Sequence, residues 1–282
     1  MTALFIRDTR FVWGERTYVM GVVNVTPDSF SDGGRFFHFE DAVAHAEGLI
    51  EEGVDILDIG GESSRPFSDP VSVQEELRRT VPVVKAIRER SQIPISIDTT
   101  KAEVAQACLD AGADMINDIS ALRMDSRMVG VVREYGVPCV LMHMKGVPKD
   151  MQVNPFYEDV EAEIREFLAE RIAFARNAGI ASEKIIIDPG IGFGKRLQDN
   201  LVLLNRIERL RELGCPVLVG PSRKAFLAAI TGITEPAFRD IATLGAVAVA
   251  ALRGVDMVRV HSVRDVRLVL KVMTAITHET IE

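Results

Sequence analysis

The sequence EGVDILD at Glu52–Asp58 recurs in altered form as AGADMIN at Ala111–Asn117 and as RGVDMVR at Arg253–Arg259. Each copy follows a helix-like segment, and its glycine can take the left-handed conformation that ends a helix. The apolar residues that come next are typical of a short buried strand, and each copy closes on a polar residue. The repeated unit is therefore a helix, a glycine stop and a strand.

The same pattern along the rest of the chain predicts strands at 18–24, 55–60, 95–98, 115–118, 139–143, 184–188, 217–220 and 257–261. Amphipathic helices are predicted near 40–52, 72–90, 101–111, 125–135, 157–178, 199–212, 238–253 and 265–280. Parallel strands with helices on both sides are apolar almost throughout, as these are. The pattern predicts an α/β fold, a single (β/α)8 TIM barrel, with a doubly wound open sheet as the alternative.

The chain has 282 residues, and one barrel needs roughly 250, so residues 1–282 are predicted to form one domain. Residues 1–17 alternate in polarity and predict a short β-hairpin that caps the bottom of the barrel. Two long polar connections, 25–39 and 62–71, are predicted to be mobile loops at the active site.

Composition excludes several classes of protein. The chain is 47% hydrophobic and 26% charged, which is ordinary for a globular protein. A net charge of −8 argues against nucleic acid and membrane surfaces as partners, and no apolar run is long enough for a membrane-spanning helix. The 3 cysteines form no CxxC pair, so neither a disulfide framework nor a zinc site is expected and the cytoplasm is the predicted location.

A polar residue ends each predicted strand, which is where the active site of a TIM barrel lies. These residues are Asn24, Asp58, Asp98, Asn117 with Asp118, His143, Asp188, Ser222 and His261. Such acceptors suit a ligand rich in N–H donors, for example an amino-pyrimidinone ring, or a hard cation such as Mg²⁺. For Asp98 and Asp118 a simpler role, capping the next helix, stays open. His143 is expected to line the pocket or the core without a catalytic role.

Cations concentrate at the last two strands, where TIM barrels often bind phosphate. They are Arg223 and Lys224 after the seventh strand and Arg259 with His261 at the eighth, and they predict a phosphorylated or pyrophosphorylated substrate. For Arg223 the alternative of a structural salt bridge stays open. The glycine-rich segment 188–195 fits neither the Walker pattern nor GxGxxG. Its expected role is to present the ring of Phe193 to a flat ligand.

Segments spread over the whole chain resemble the dihydropteroate synthase family. They are residues 20–34, 58–66, 97–99, 116–119, 141–144, 188–195, 222–224 and 259–261. The resemblance implies a transferase of folate biosynthesis that condenses 6-hydroxymethyl-7,8-dihydropterin pyrophosphate with 4-aminobenzoate. It also implies competition by sulfonamides, Mg²⁺ as cofactor and a homodimer.

Family roles fall on matching positions. The pterin site would consist of Asp58, Asp98, Asn117, Asp188 and Lys224. The aminobenzoate site would consist of Ser64, Arg65, Pro66, Phe193 and Ser222. Asn24, Arg259 and His261 would bind pyrophosphate, with Asn24 also a metal ligand. Asp28, Asp32, Arg65 and Lys224 would be catalytic, the first two on a loop that also contains Phe30.

Three positions depart from the family pattern: Ser64 stands where Thr is usual, Phe67 where Gly is common and Ser262 where Asp is usual. We expect Phe67 to alter the mobility of its loop. A weak aryl amine nucleophile and a pterin-stabilised CH₂ cation favour an SN1-like path in which pyrophosphate leaves first. The alternatives are a non-catalytic pterin-binding paralogue and a pterin-dependent methyltransferase.

Overall fold

Eight parallel strands form a barrel in the computed structural model, which describes residues 3–26 and 37–279. The strands are β3 (Tyr18–Asn24), β4 (Ile56–Gly60), β5 (Ile95–Asp98), β6 (Met115–Asp118), β7 (Cys139–Met142), β8 (Ile185–Asp188), β9 (Leu218–Val219) and β10 (Met257–Val260). Their order is β8-β7-β6-β5-β4-β3-β10-β9. A parallel bridge between Ile187 and Val217 joins β8 to β9 and closes the ring. The predicted barrel is confirmed, and the open sheet is excluded.

A two-stranded antiparallel sheet covers the bottom of the barrel. It consists of β1 (Leu4–Ile6) and β2 (Thr9–Phe11), which pair as the predicted hairpin. The buried side chains of Ile6, Phe11 and Trp13 belong to the same apolar cluster as Met20 inside the barrel. The hairpin therefore seals the end of the barrel opposite the carboxyl ends of the strands.

Ten α-helices surround the barrel within the described ranges. They are α1 (Phe37–Glu51), α2 (Val73–Arg90), α3 (Ala102–Asp110), α4 (Met128–Tyr135), α5 (Val160–Asn177), α6 (Leu197–Asn205), α7 (Ile207–Arg211), α8 (Ala225–Thr231), α9 (Asp240–Leu252) and α10 (Val263–His278). The helix predicted over 199–212 breaks at Arg206, whose φ of −129° and ψ of 31° are not helical. Helix α8 was not predicted. Within 3–26 and 37–279, every helix is too short or too polar to span a bilayer.

Alternation along the strands separates an apolar lower barrel from a polar mouth. The interior is filled by Met20, Ile56, Met115, Val140, Ile186, Leu218 and Met257, all buried. Two residues further along the chain lie Val22, Asp58, Asn117, Met142, Asp188, Gly220 and Arg259. Because side chains alternate across a strand, these residues share the inner face. The same inward positions that build the core therefore carry the polar groups one layer higher.

The aspartate of the repeated segment has a structural role in all three copies. Asp55, Asp114 and Asp256 accept hydrogen bonds from the backbone N–H groups of Val19, Ile95 and Val217 at 2.8, 3.0 and 2.9 Å, respectively. Each carboxylate thus holds the start of a neighbouring strand. Each also pairs with an arginine, as Asp256 does with Arg211 at 3.3 Å. The repeat that predicts the strands therefore also fastens their lower ends.

We expect Asp114→Asn to lower the free energy of unfolding by about 3 kcal/mol, because it leaves partly buried arginines without their carboxylate. Asp114 pairs with Arg88 at 2.6 Å and with Arg7 at 2.9 Å. Urea denaturation followed by circular dichroism measures the change. Glu47→Gln, which removes the exposed pair of Glu47 with Arg90, is the control and should change little. Equal shifts in both variants would contradict the structural role.

Candidate active site

Four neighbouring strands bring one row of residues to the mouth of the barrel. Asn24 pairs in register with Gly60, Gly60 with Asp98, and Asp98 with Asn117. A Cβ on Gly60 would lie in van der Waals contact with Cβ of Asp98, at 3.4 Å, so the glycine leaves this position beside Asp98 open. Asn24 is half-buried at the end of β3. The sequence prediction that these residues lie close together is consistent with this register.

Arg259 joins two carboxylates at the centre of the mouth. Its Nε donates to Oδ2 of Asp58 at 2.6 Å and its Nη2 donates to Oδ2 of Asp98 at 2.9 Å. Nδ2 of Asn117 donates to the same Asp58 oxygen at 3.0 Å. The other oxygen of Asp58, Oδ1, is buried and accepts no hydrogen bond from the described residues. Buried acceptors are rarely left unpaired, so this oxygen indicates a donor that is supplied from elsewhere.

Burial makes the carboxyl groups of Asp98 and Asp188 weaker acids than an exposed aspartate. It raises the pKa of Asp98 above its ordinary value, although the charge of Arg259 opposes this. Burial also raises the pKa of Asp188, to about 6, against the backbone N–H of Gly190 and the charges of Lys195 and Lys224. Oδ1 of Asp188 accepts from Gly190 N at 2.7 Å. Both carboxylates therefore bind a proton more readily than an exposed aspartate does.

The segment Ser222–Lys224 turns sharply because Arg223 has a φ of +58°. The guanidinium of Arg223 pairs with Asp240 at the start of α9, at 2.8 and 2.7 Å. Arg223 is thereby directed toward a helix, as a structural ion pair, whereas Nζ of Lys224 lies 3.9 Å from the ring centroid of Phe193. Burial, followed by the charge of Arg259, lowers the pKa of Lys224 to about 8.

His261 is held by Ser222 at the end of β10. Oγ of Ser222 lies 2.9 Å from Nδ1 of His261 and accepts from His261 N at 3.3 Å. A hydroxyl that donates to Nδ1 leaves the proton on Nε2. Burial, with the charges of Arg223 and Arg259, lowers the pKa of His261 well below its ordinary value. His261 is therefore a neutral imidazole at the cationic side of the mouth, without the positive charge of an imidazolium, and its Nε2 is a donor when Ser222 donates to Nδ1.

His143 is a core residue paired with a lysine. Nζ of Lys195 lies 3.0 Å from Nδ1 of His143, and both side chains are buried. The pKa of His143 falls to about 2 because of burial and the charge of Lys195. Nζ of Lys195 also donates to the carbonyl of Phe193 at 2.9 Å, which fixes the glycine-rich segment 188–195 against the end of β7.

Close backbone packing explains the glycines of that segment. A Cβ on Gly190 would lie 2.0 Å from the carbonyl oxygen of His143, and φ is +67° there. Phe193 is buried in an apolar cluster with Ile119, Met142, Met144 and Met151. The segment therefore places the ring of Phe193 beside Lys224, at a partly closed apolar wall.

The loop 62–71 lies beside this wall. Ser64 is half-buried and lines a small cavity together with Asp98 and Ile119, whereas Arg65 and Pro66 are exposed. After burial and nearer charges, the charge of Arg65 also lowers the pKa of Lys224 and of His261, which places Arg65 on the side of the mouth.

Phe67, at the tip of the same loop, has a φ of +65° and is 66% exposed. Left-handed backbone favours glycine, so the glycine common in the related family is the unstrained residue there. The backbone N–H of Phe67 donates to the carbonyl of Pro148 at 3.0 Å, which joins the loop to the segment after β7.

Several expectations fall elsewhere. Asp28, Phe30 and Asp32 lie outside the described residues. Asp118 faces a local turn, where its carboxylate accepts from the N–H groups of Ser120 and Leu122. The alternative of a helix cap is therefore wrong for both residues, because Asp118 holds this turn while helix α4 begins at Met128, and the carboxylate of Asp98 binds Arg259.

Sequence reasoning missed two sets of interacting side chains near the site. One is the contact of the Lys195 ammonium group with the His143 ring, and the other is the ion network of Lys101 with Glu62 and Glu76. The only sequence signal for the Lys101 network was that Lys101 lies three residues after Asp98, which ends a strand.

The fold and the mouth together define a TIM-barrel enzyme site in which carboxylates and an amide face a cationic rim. The chain belongs to the pterin-binding enzyme family, whose pattern it matches over residues 20–261.

Its relatives include the dihydropteroate synthase of Synechocystis, with 45% identity over 96% of this chain and 94% of that protein. Among solved structures, Xanthomonas albilineans dihydropteroate synthase with 4-aminobenzoic acid is similar with a TM-score of 0.92 and 46% identity, over 98% of both chains. The same enzyme in complex with 7,8-dihydropteroate gives a TM-score of 0.89 and 44% identity, over 98% of this chain and 99% of that one.

Proposed function

We propose that this chain is a dihydropteroate synthase of folate biosynthesis. It condenses 6-hydroxymethyl-7,8-dihydropterin pyrophosphate with 4-aminobenzoate and releases pyrophosphate. The observation that carries the proposal is the junction at Arg259, where pterin-type acceptors and the cationic rim meet. A pterin and its pyrophosphate need these two halves side by side.

The acceptor half suits the pterin ring. Asp188 and Asn117 lie on the inner face at the mouth, and Asp58 keeps a buried acceptor oxygen without a partner among the described residues. The amino and ring N–H groups of a pterin are donors that such oxygens bind. Lys224, stacked on Phe193, would contact the edge of the ring and separate the pterin from aminobenzoate.

The cationic half suits the leaving group. Nη1 of Arg259 donates to no described residue, and Nε2 of His261 is free of the Ser222 contact. These two N–H groups would bind pyrophosphate oxygens. Charge neutralisation lets pyrophosphate leave first, and Asp98 and Asp188 favour the positive charge that develops on the pterin side. The path we propose is therefore SN1-like.

Magnesium fits this site as a substrate-completed ion. The residues in 3–26 and 37–279 include no group of three His, Cys, Asp or Glu side chains able to hold a metal. Mg²⁺ usually keeps waters and takes one or two protein ligands together with substrate phosphates. Asn24 at the end of β3 would supply a hard amide oxygen. When bound, the ion would add positive charge to the pyrophosphate side.

Aminobenzoate would bind between the loop 62–71 and the Ser222–Lys224 turn. Ser64 and Arg65 approach from the loop, Ser222 from the turn and Phe193 from the apolar wall. A sulfonamide has a similar aryl amine and a similar polar end, so we expect it to compete for this position. The short wall of Phe193 and Ile119 would pack against either ring.

Pyrophosphate release tests the function. The purified protein is incubated with the pterin pyrophosphate and Mg²⁺, with and without 4-aminobenzoate, while pyrophosphate and dihydropteroate are quantified. Coupled formation of both products supports the synthase. Pterin binding without any pyrophosphate would instead favour the non-catalytic paralogue, and methyl transfer to or from a corrinoid would favour the methyltransferase.

Pterin binding should weaken in acid. Protonation of Asp188 below its pKa of about 6 removes an acceptor, and Lys195, Lys224 and Arg259 are the cations that face this carboxylate. We expect the Kd for 6-hydroxymethyl-7,8-dihydropterin to rise about tenfold per pH unit below pH 6 and to level off above it, where the carboxylate is ionised. Calorimetry from pH 5 to 8 measures this. Asp188→Asn should bind weakly and lose the slope, and an unchanged slope in that variant would contradict the assignment.

A homodimer is also proposed. Helices α9 and α10 pack together and expose large apolar side chains, at Ile241, Val249, Leu252, Leu268, Val272 and Ile276. Several large exposed apolar side chains on two packed helices are a feature of protein–protein interfaces. Sedimentation equilibrium should show a dimer that Val272→Glu converts to monomer. The location we propose is the cytoplasm, supported by the free, buried Cys108, Cys139 and Cys215.

A further inference from the structure

The loop 62–71 is closed at its base by one carboxylate. Oε2 of Glu62, the first residue of the loop, accepts from the backbone N–H of Val71, the last residue, at 2.9 Å. The same oxygen lies 2.5 Å from Nζ of Lys101. Glu62 therefore ties both ends of the loop to a single lysine.

That lysine is attached to the barrel wall. Nζ of Lys101 lies 2.5 Å from Oε2 of Glu76, whose side chain on α2 is 1% exposed. The other oxygen of Glu76 accepts from the hydroxyl of Thr99 at 2.6 Å, directly after β5. The two carboxylates share one ammonium group, and within residues 3–26 and 37–279 Lys101 is the one cation that pairs with both. Charge-assisted hydrogen bonds of this kind are stronger and more directional than neutral ones.

We propose that Lys101 is a positioning residue for the aminobenzoate side of the site. It fastens the base of the loop 62–71 to α2 and to the end of β5, so that Ser64 and Arg65 are already in place when aminobenzoate arrives. The inference rests on the proposed synthase function.

Three observations connect the network to the site. Lys101 and Ser64 line the same small cavity as Asp98. Oγ of Ser68 donates to the carbonyls of Ser63 and Arg65 at 2.6 and 2.8 Å. These hydrogen bonds connect the base of the loop to the residues on either side of Ser64. Among the described residues, Nζ of Lys101 pairs with Glu62 and Glu76, and Glu62 is the first residue of the loop, so the loop links Lys101 to the aminobenzoate side. Fixing a loop in its binding geometry lowers the entropy cost of binding.

A separate fastening holds the tip of the loop. Phe67 N donates to Pro148 O at 3.0 Å, and Lys149 pairs with Asp69 at 2.9 Å in an exposed position. The tip pair offers a matched control, because it also joins this loop by a lysine–carboxylate contact but lies away from the cavity. We expect only the Lys101–Glu62 contact at the base of the loop to affect the KM for 4-aminobenzoate.

The experiment is steady-state kinetics on Lys101→Met, Lys101→Arg, Glu62→Gln and Lys149→Met, with each substrate varied in turn. Lys101→Met should raise KM for 4-aminobenzoate about tenfold, with kcat and the KM for the pterin pyrophosphate changed by no more than about threefold. Glu62→Gln should change KM in the same direction. Lys101→Arg keeps the charge and should restore KM to within about threefold of the wild type, and Lys149→Met should leave it unchanged.

A structural role alone gives a different pattern, in which kcat falls with the fraction of folded protein while both KM values stay constant. That pattern would overturn the inference. If Lys101→Met does not fold, Glu62→Gln decides, and an unchanged KM for aminobenzoate in that variant would also overturn it. The activity of the wild type distinguishes failure of this inference from failure of the proposed function. A wild type that forms no dihydropteroate refutes the synthase function. An active wild type whose variants keep an unchanged KM refutes only the role of Lys101.

Discussion

Lys224→Met is expected to lower kcat/KM for dihydropteroate formation by about 1000-fold, because it removes a preorganised charge from the centre of the site. Lys224 lies between the two halves of the mouth, with Nζ 3.9 Å from the centroid of Phe193 and its charge influenced by Arg259, Asp188 and Asp98. Methionine keeps the length and the apolar contact of the stem. The loss therefore isolates the ammonium group and its hydrogen bonds.

Coupled detection of pyrophosphate and dihydropteroate measures the effect, and thermal unfolding of the variant checks the fold. Lys85→Met on the exposed side of α2 is the control for loss of one lysine and should retain wild-type kinetics. Because burial has already lowered the pKa of Lys224 to about 8, its neutralisation should cost less stability than that of an ion-paired lysine. A variant that keeps wild-type kcat/KM would remove Lys224 from the site.

The strands were predictable because their periodicity is local. Tyr18–Asn24, Ile95–Asp98 and Met115–Asp118 occupy the predicted positions, and the other barrel strands differ only at their ends. The glycine stop and the apolar run both lie within a few residues of each strand. Helix α8 was missed because its seven residues follow a turn whose shape depends on the unusual φ of Arg223. The contacts that hold Arg223 in this conformation, with Asp240 and Thr243, are distant in sequence.

The site was predictable in residue type and less so in pairing. Polar residues at strand ends indicated the mouth, and their inward positions follow from the two-residue period of a strand. The partner of each group was not indicated, since Arg259 reaches Asp58 across 201 positions of sequence. The same limit applies to the aspartates of the repeat. Asp55, Asp114 and Asp256 were recognised as part of a pattern, yet their hydrogen bonds to neighbouring strands depend on barrel closure.

Arg259→Met is expected to lower the free energy of unfolding by about 3–5 kcal/mol and to abolish synthase activity, because it leaves two carboxylates at the mouth without their common cation. The side chain of Asp58 is 0% exposed and that of Asp98 is 10% exposed, so water does little to replace the guanidinium. Urea denaturation at pH 7 measures the stability, and pyrophosphate release measures the activity.

A double-mutant cycle with Asp58→Asn separates the two consequences of losing Arg259. In Asp58→Asn/Arg259→Met the buried negative charge is also gone, so the double variant should be more stable than Arg259→Met alone while activity stays absent. Arg259→Lys keeps one charge but cannot reach both carboxylates with a planar fork, and it should fall between the wild type and Arg259→Met in stability. If Asp58→Asn brings no recovery, the cost of Arg259→Met comes from lost packing and not from an unpaired carboxylate. Recovery of stability without activity would instead indicate that Arg259 serves both the fold and the leaving group, since the same side chain holds Asp58 and Asp98 through two of its nitrogens and leaves Nη1 for a substrate oxygen.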